Sequence, residues 1–63
     1  PLARAHYRVA LVSYRQEKWD KAQESGNFAL ELYRSMADEA MIEKSQRLLD
    51  VIQQRNKKTG LFS

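Results

Sequence analysis

Only two glycines and one proline occur in the 63 residues, and this scarcity constrains the chain more than any other feature. Gly and Pro are the residues that most readily end helices and make turns. Pro1 is the first residue and Gly60 lies near the end, so Gly26 is the only one of the three inside the chain. A chain so rarely punctuated reads as helix broken at few points. Hydrophobic residues make up 43% and charged residues 30%, which is globular composition and not the apolar-poor pattern of disorder. A chain this short is one small domain or a piece of a larger one, and it buries only about 60% of its unfolded surface. The opening at Pro1 instead of Met points to a fragment or a processed product.

Several classes are excluded at this level. There is no cysteine, so no disulfide framework, thiol chemistry or cysteine-based zinc site is available. The same absence leaves the compartment open, with the cytoplasm as the default. No run approaches 18 apolar residues, so no membrane span is expected in this segment. The N-terminus lacks the basic region followed by a long apolar run that a signal peptide needs. Eleven Lys+Arg against eight Asp+Glu give a net charge of +3, too weak alone to imply nucleic acid.

Periodicity predicts three helices and an all-α fold: an antiparallel helical hairpin plus a third helix. The first spans about Ala3 to Gln16. Arg4, Arg8, Leu11 and Arg15 follow helical spacing along one side, Ala5, Val9 and Val12 along a second, and Ala3, Tyr7, Ala10 and Tyr14 along a third. Two apolar sides predict contact with two neighbours. Glu17-Lys18 breaks the pattern. The second helix runs from Trp19 or Asp20 to Ser35, with Asp20 as its cap or first-turn acid. Its stripe Ala22, Gly26, Ala29, Tyr33 begins with three small residues, which predicts a close helix–helix approach. Gly26 costs about 1 kcal/mol of helix propensity relative to Ala, so a contact too close for a side chain explains it best. Phe28, Leu30 and Leu32 are expected to supply the larger apolar surface. Met36-Ala37-Asp38 is the next break, with Asp38 capping a third helix from about Glu39 to Asn56. Met41, Leu48 and Ile52 form its main stripe, with Ile42, Leu49 and Val51 beside it, and Glu43 and Arg47 form a favourable i,i+4 pair. The organisation is thus a hairpin over residues 1–34, a third helix over 35–56 and a basic, apolar tail over 57–63.

The stretch from Ala3 to Leu32 resembles one tetratricopeptide repeat, a helix-turn-helix unit of 34 residues. Val9 and Ala10 stand where that family has a Leu-Gly pair. Tyr14 falls one residue past the usual first-helix Tyr, and Trp19 matches the aromatic that opens the second helix. Ala22 and Ala29 match its two alanines, and Ala29-Leu30-Glu31-Leu32 its ending. Departures are Ser13 for the usual Tyr, His6 for the usual Trp, Gly26 for a bulky residue and Arg34 near the usual Pro. Met36-Ala37-Asp38 and the following helix are similar to the link and start of a further repeat in a variant with a longer second helix, although Asp50 follows Leu49 where a small residue is expected. The third helix is then a partial next repeat or a cap. An independent three-helix bundle, including the microtubule-interacting-and-transport type, is the competing architecture. The resemblance implies a fragment of an α-α superhelix. One and a half repeats should be poorly stable alone, since stacked neighbours bury the faces that one hairpin leaves open.

Catalytic and metal chemistry find little support, and no cofactor is expected. His6 is the only histidine, and a general base or nucleophile pair needs a second group within hydrogen-bond reach. Glu39 and Glu43 stand at i,i+4 without the Glu-x-x-His motif of carboxylate metal sites. No Gly-rich loop could cradle a phosphate, and the serines sit in no nucleophile elbow. The chain therefore reads as a non-enzyme. The resemblance implies instead that the first helices of successive repeats line a concave groove for a partner peptide. Arg4, Tyr7, Leu11, Tyr14 and Arg15 would face it, joined by Lys44, Arg47, Val51, Gln54 and Arg55 of the third helix. Such a surface is mostly basic, and Arg forks bind carboxylates while Tyr adds rigid contact area, so an acidic or carboxylate-ended protein or peptide is one expected partner; the alternatives are a groove for a hydrophobic helix and a solvated basic face that only keeps the chain soluble. Two other classes remain. One is a homo-oligomerisation element. The other is a nucleic-acid-binding domain using Arg4, Arg8, Arg15, Lys57 and Lys58, against which the interleaved acids and the lack of a reading helix argue. Arg55, Lys57 and Lys58 followed by Leu61 and Phe62 could touch an anionic membrane surface, but three charges are few for anchoring.

Overall fold

The structure, a computed structural model, describes residues 2–60, without the side chains of 58–60. The tail residues Leu61, Phe62 and Ser63, and any membrane contact through them, lie outside the described residues. Three helices follow in order: α1 (Leu2–Arg15), α2 (Trp19–Ser35) and α3 (Glu39–Gly60). The fold is all-α, an antiparallel hairpin with a third helix laid on it. The third helix continues past Asn56, where the sequence pattern places its end, because Lys57 and Lys58 are good helix formers and Gly60 is the first residue beyond Asn56 with a strong tendency to stop a helix.

Both breaks are built the same way. After α1, the Glu17 N–H donates to the Tyr14 carbonyl and the Lys18 N–H to that of Ser13, with Glu17 at φ 60°. After α2, the Ala37 N–H donates to Arg34 and the Asp38 N–H to Tyr33, with Ala37 at φ 55°. This is the Schellman arrangement, in which the residue after the cap turns left-handed and the last carbonyls find donors. Glycine normally takes that position, and here Glu17 and Ala37 carry its steric cost. Asp38 then starts α3: its Oδ1 accepts from the Met41 N–H at 3.3 Å, the N-cap bond that satisfies one free first-turn donor. Lys18 takes the corresponding place before α2 without a side-chain bond, so Asp20 serves as the first-turn acid and not as the cap.

The two turns fold the helices antiparallel, and α2 is the common support. α1 and α3 each pack along α2 but scarcely touch one another. The buried apolar residues form two clusters. In one, Ala10 and Ala22 meet Leu48 and Ile52, with Trp19, Tyr7, Leu11 and Tyr14 packed around them. In the other, Ala3, Ala29 and Tyr33 are flanked by Leu32, Met41 and Ile42. Small residues dominate: four alanines, Gly26, Ser13, Ser25 and Ser45 are all buried. Helices can approach closely when their contact rows carry so little bulk. At Gly26 the approach reaches its limit, for a Cβ there would stand 2.7 Å from Leu49 Cδ2 on α3. The obstacle to a side chain at Gly26 is therefore α3 and not α1, whose Ala10 Cβ would stand at an ordinary 3.9 Å.

Three expectations about packing change. Phe28 is not core: it is half exposed and stacks on His6 with ring centroids 5.3 Å apart. The second apolar side of α1, Ala5, Val9 and Val12, faces away from both neighbours and stays exposed. Val51 is also exposed, one turn beyond Leu48 on α3. Trp19 is half-buried, with Tyr14 edge-on at 5.7 Å.

Candidate functional site: a cleft between α1 and α3

Because α1 and α3 both lie on α2 and scarcely touch one another, a cleft opens between them. Its deeper part holds about 600 Å³ and is lined from α1 by Arg4, Tyr7, Arg8 and Leu11, from the end of α2 and the following turn by Tyr33, Met36 and Asp38, and from α3 by Met41 and Lys44. A shallower continuation of about 260 Å³ runs along α3 between Tyr7, Lys44, Arg47, Leu48 and Val51. Tyr7 and Lys44 border both parts, so the two form one trough. Tyr7, Leu11 and Met41 are half-buried there, and Arg4, Arg8, Lys44 and Arg47 are exposed around them.

Helical spacing explains the lining. Arg4, Tyr7, Arg8 and Leu11 recur at steps of three and four, one face of α1. Met41, Lys44, Leu48 and Val51 do the same on α3. A periodic face of each helix thus becomes one wall of the trough, with an apolar foot and a charged rim.

Of the residues that the sequence assigns to a groove, the structure brings together Arg4, Tyr7, Leu11, Lys44, Arg47 and Val51. Tyr14, Arg15, Gln54 and Arg55 line neither part. Tyr14 is drawn against Trp19 and the lower core. Arg15 is exposed in the last turn of α1, and Gln54 and Arg55 are exposed on α3 beyond Val51. Sequence reasoning leaves out Arg8, Tyr33, Met36, Asp38, Met41 and Leu48. Arg8 was legible, since it belongs to the same spaced row as Arg4, Leu11 and Arg15. Met36 and Asp38 were not, because they enter through the path of the second turn.

Two charges in the trough are partly engaged. Arg47 Nη2 donates to Glu43 Oε1 at 2.6 Å, one turn earlier on α3 and exposed like Arg47. Exposed pairs of this kind contribute about 0.3–0.5 kcal/mol, so a ligand carboxylate can compete for the guanidinium. Asp38 is committed to capping α3. Arg4, Arg8 and Lys44 meet no acidic partner within ion-pair distance among the described residues.

His6 lies outside the trough, stacked on Phe28. Among the described residues no group of three His, Asp or Glu side chains could hold a metal ion. No helix among them is long and apolar enough to cross a membrane. Compared with protein-family models, curated proteins and solved structures, the chain matches none.

Proposed function

We propose that the chain is a protein–protein interaction module, part of a scaffold, adaptor or co-chaperone, that holds an extended partner peptide in the trough between α1 and α3. One observation carries the reading: an apolar foot of Tyr7, Leu11 and Met41 lies between cations that no acidic side chain pairs among the described residues, Arg4, Arg8 and Lys44. The matching peptide carries Asp or Glu beside one large apolar residue. Its apolar side chain covers the Tyr and Met, and its carboxylates take the guanidinium forks at the rim.

The tetratricopeptide resemblance fits this proposal. Its support is the antiparallel hairpin, the two turns of identical hydrogen bonding and the placing of α1 and α3 side by side on α2. On this reading the module does no chemistry and needs no cofactor. A nucleic-acid role is the weaker proposal, because Asp38 and Glu43 stand beside the same basic row.

The test is fluorescence anisotropy against a peptide array in which acidic and apolar residues are varied independently. Arg4→Glu/Lys44→Glu should weaken the best acidic peptide by at least about tenfold, and raised salt should weaken it as well. Arg15→Glu/Arg55→Glu, outside the trough, should change little. Equal affinity in both double variants would overturn the site, and a preference for oligonucleotides over every peptide would favour the nucleic-acid reading.

A further inference from the structure

Away from the trough, α1 carries a second row. Leu2, Ala5, Val9 and Val12 recur at steps of three, four and three, the spacing of a coiled-coil seam. None is covered by α2 or α3: Leu2 is 64% exposed, Val9 40% and Val12 50%, with Phe28 of α2 beside them at 51%. A contiguous apolar strip of this kind marks a contact surface.

The charges on either side of the strip say what fits it. Toward the trough it is bordered by Arg8, with Arg4 and Arg15 on the same side, and α1 contains no acidic residue. Toward α2 it is bordered by His6 and Phe28, beyond which Glu24 and Glu31 lie with Phe28 around one surface depression. One flank is therefore basic, and the other is acidic over the stretch from Glu24 to Glu31, with Lys21 and Arg34 at its two ends. The helices run antiparallel, and His6 stacks on Phe28. Glu24, one turn before Phe28, is thus level with the Val9–Ala10 part of α1, close to the height of Arg8. Glu31 is level with Leu2–Ala3, close to the height of Arg4.

A surface with opposite charges on its two sides is complementary to itself under only one of the two possible two-fold packings. With the axis along α1, the copies are parallel and the acidic flank of each lies over the basic flank of the other. With the axis across α1, acid meets acid and base meets base. We propose that the Leu2, Ala5, Val9, Val12 strip is the interface of a parallel homodimer, with Arg8 of each copy facing Glu24 of the other. The interface is isologous; it engages Arg8 but leaves Arg4, Tyr7, Leu11, Met41 and Lys44 of each trough open, so a peptide can still be held there by the remaining rim cations.

Sedimentation equilibrium of the 63-residue chain over a range of concentrations tests the association. The expected result is a reversible monomer–dimer equilibrium. Arg8→Glu and Glu24→Arg should each raise the dimer dissociation constant by about tenfold, and the two together should restore it. Such a rescue is not expected of unspecific apolar clustering. The orientation is read by cross-linking, which the absence of natural cysteine makes clean. Leu2→Cys alone and Val12→Cys alone should each oxidise to disulfide-linked dimers, because in the parallel packing each residue meets its own counterpart. A monomer at all concentrations, a dimer indifferent to the charge changes, or a disulfide that forms only when the Leu2→Cys and Val12→Cys chains are mixed would each overturn the proposal.

Discussion

Replacing Gly26 by alanine sets helix propensity against packing, and the structure says which wins. Within α2 the change gains about 0.8–1.0 kcal/mol, since Gly loses the most backbone freedom on folding. The new Cβ meets Leu49, with Cδ2 2.7 Å and Cγ 3.3 Å away, whereas Ala10 Cβ at 3.9 Å is an ordinary contact. Carbon atoms pack best at about 3.5–4.0 Å, so Leu49 Cδ2 must retreat by roughly 1 Å and Cγ by a few tenths. Rotation about χ2 swings Cδ1 and Cδ2 together and leaves Cγ in place. Moving Cγ takes an off-rotamer χ1 or a shift of α3, and overpacking of this kind costs about 1–3 kcal/mol. Gly26→Ala should therefore destabilise the chain by about 1 kcal/mol. In a Leu49→Ala background the obstacle is gone and the same change should stabilise by about 1 kcal/mol. Urea unfolding of the four proteins, followed by far-UV circular dichroism with sucrose added to hold the folded baseline, measures this cycle. The sign reversal is the diagnostic. If Gly26→Ala stabilised both backgrounds equally, the close approach of α2 and α3 would not be what requires the glycine.

Three further outcomes are expected. Ser45 is buried on α3, and its Oγ finds no hydrogen-bond partner among the described residues; Ser45→Ala should raise stability by about 1–2 kcal/mol in urea unfolding, and a loss would mean that the hydroxyl is bonded. Ala37→Gly should stabilise by about 0.5–1 kcal/mol, because the left-handed φ after α2 penalises a Cβ, and a thermal melt displaced downward would contradict the turn geometry. Ile52 is the bulkiest fully buried side chain in a core otherwise rich in alanine and serine. Ile52→Ala should cost about 3 kcal/mol and lower helicity at ambient temperature, whereas Val51→Ala, at an exposed position, should leave circular dichroism unchanged.

The legible parts of the sequence were those governed by neighbours along the chain. The breaks at Glu17-Lys18 and Met36-Ala37-Asp38 could be read because the periodic rows lapse there, and Asp38 because caps have a short side-chain vocabulary. The row Ala22, Gly26, Ala29, Tyr33 is buried as its spacing predicts, and Glu43 and Arg47 pair as i,i+4 neighbours should. Half of the trough was legible for the same reason, since Arg4, Tyr7, Leu11 and Lys44 share helix faces. Tyr14, Gln54 and Arg55 were misplaced by extending those faces along the whole of each helix, where the two walls no longer border a common space.

The sequence by itself determined that the chain is helical, where the helices break, and which row of each carries small or apolar residues. These are properties of φ/ψ preference and of a 3.6-residue period, both local. Only the tertiary structure decided which apolar row is covered. α1 offers two, and α2 buries Ala3 and Ala10 while Leu2, Val9 and Val12 stay in solvent. It also decided that Leu49 of α3 is the atom group pressing on Gly26, and that Met36 and Asp38 close one end of the trough. Periodicity reports the faces a helix has. Which face meets which neighbour depends on how three helices share one small core, and that balance is set between residues far apart in the chain.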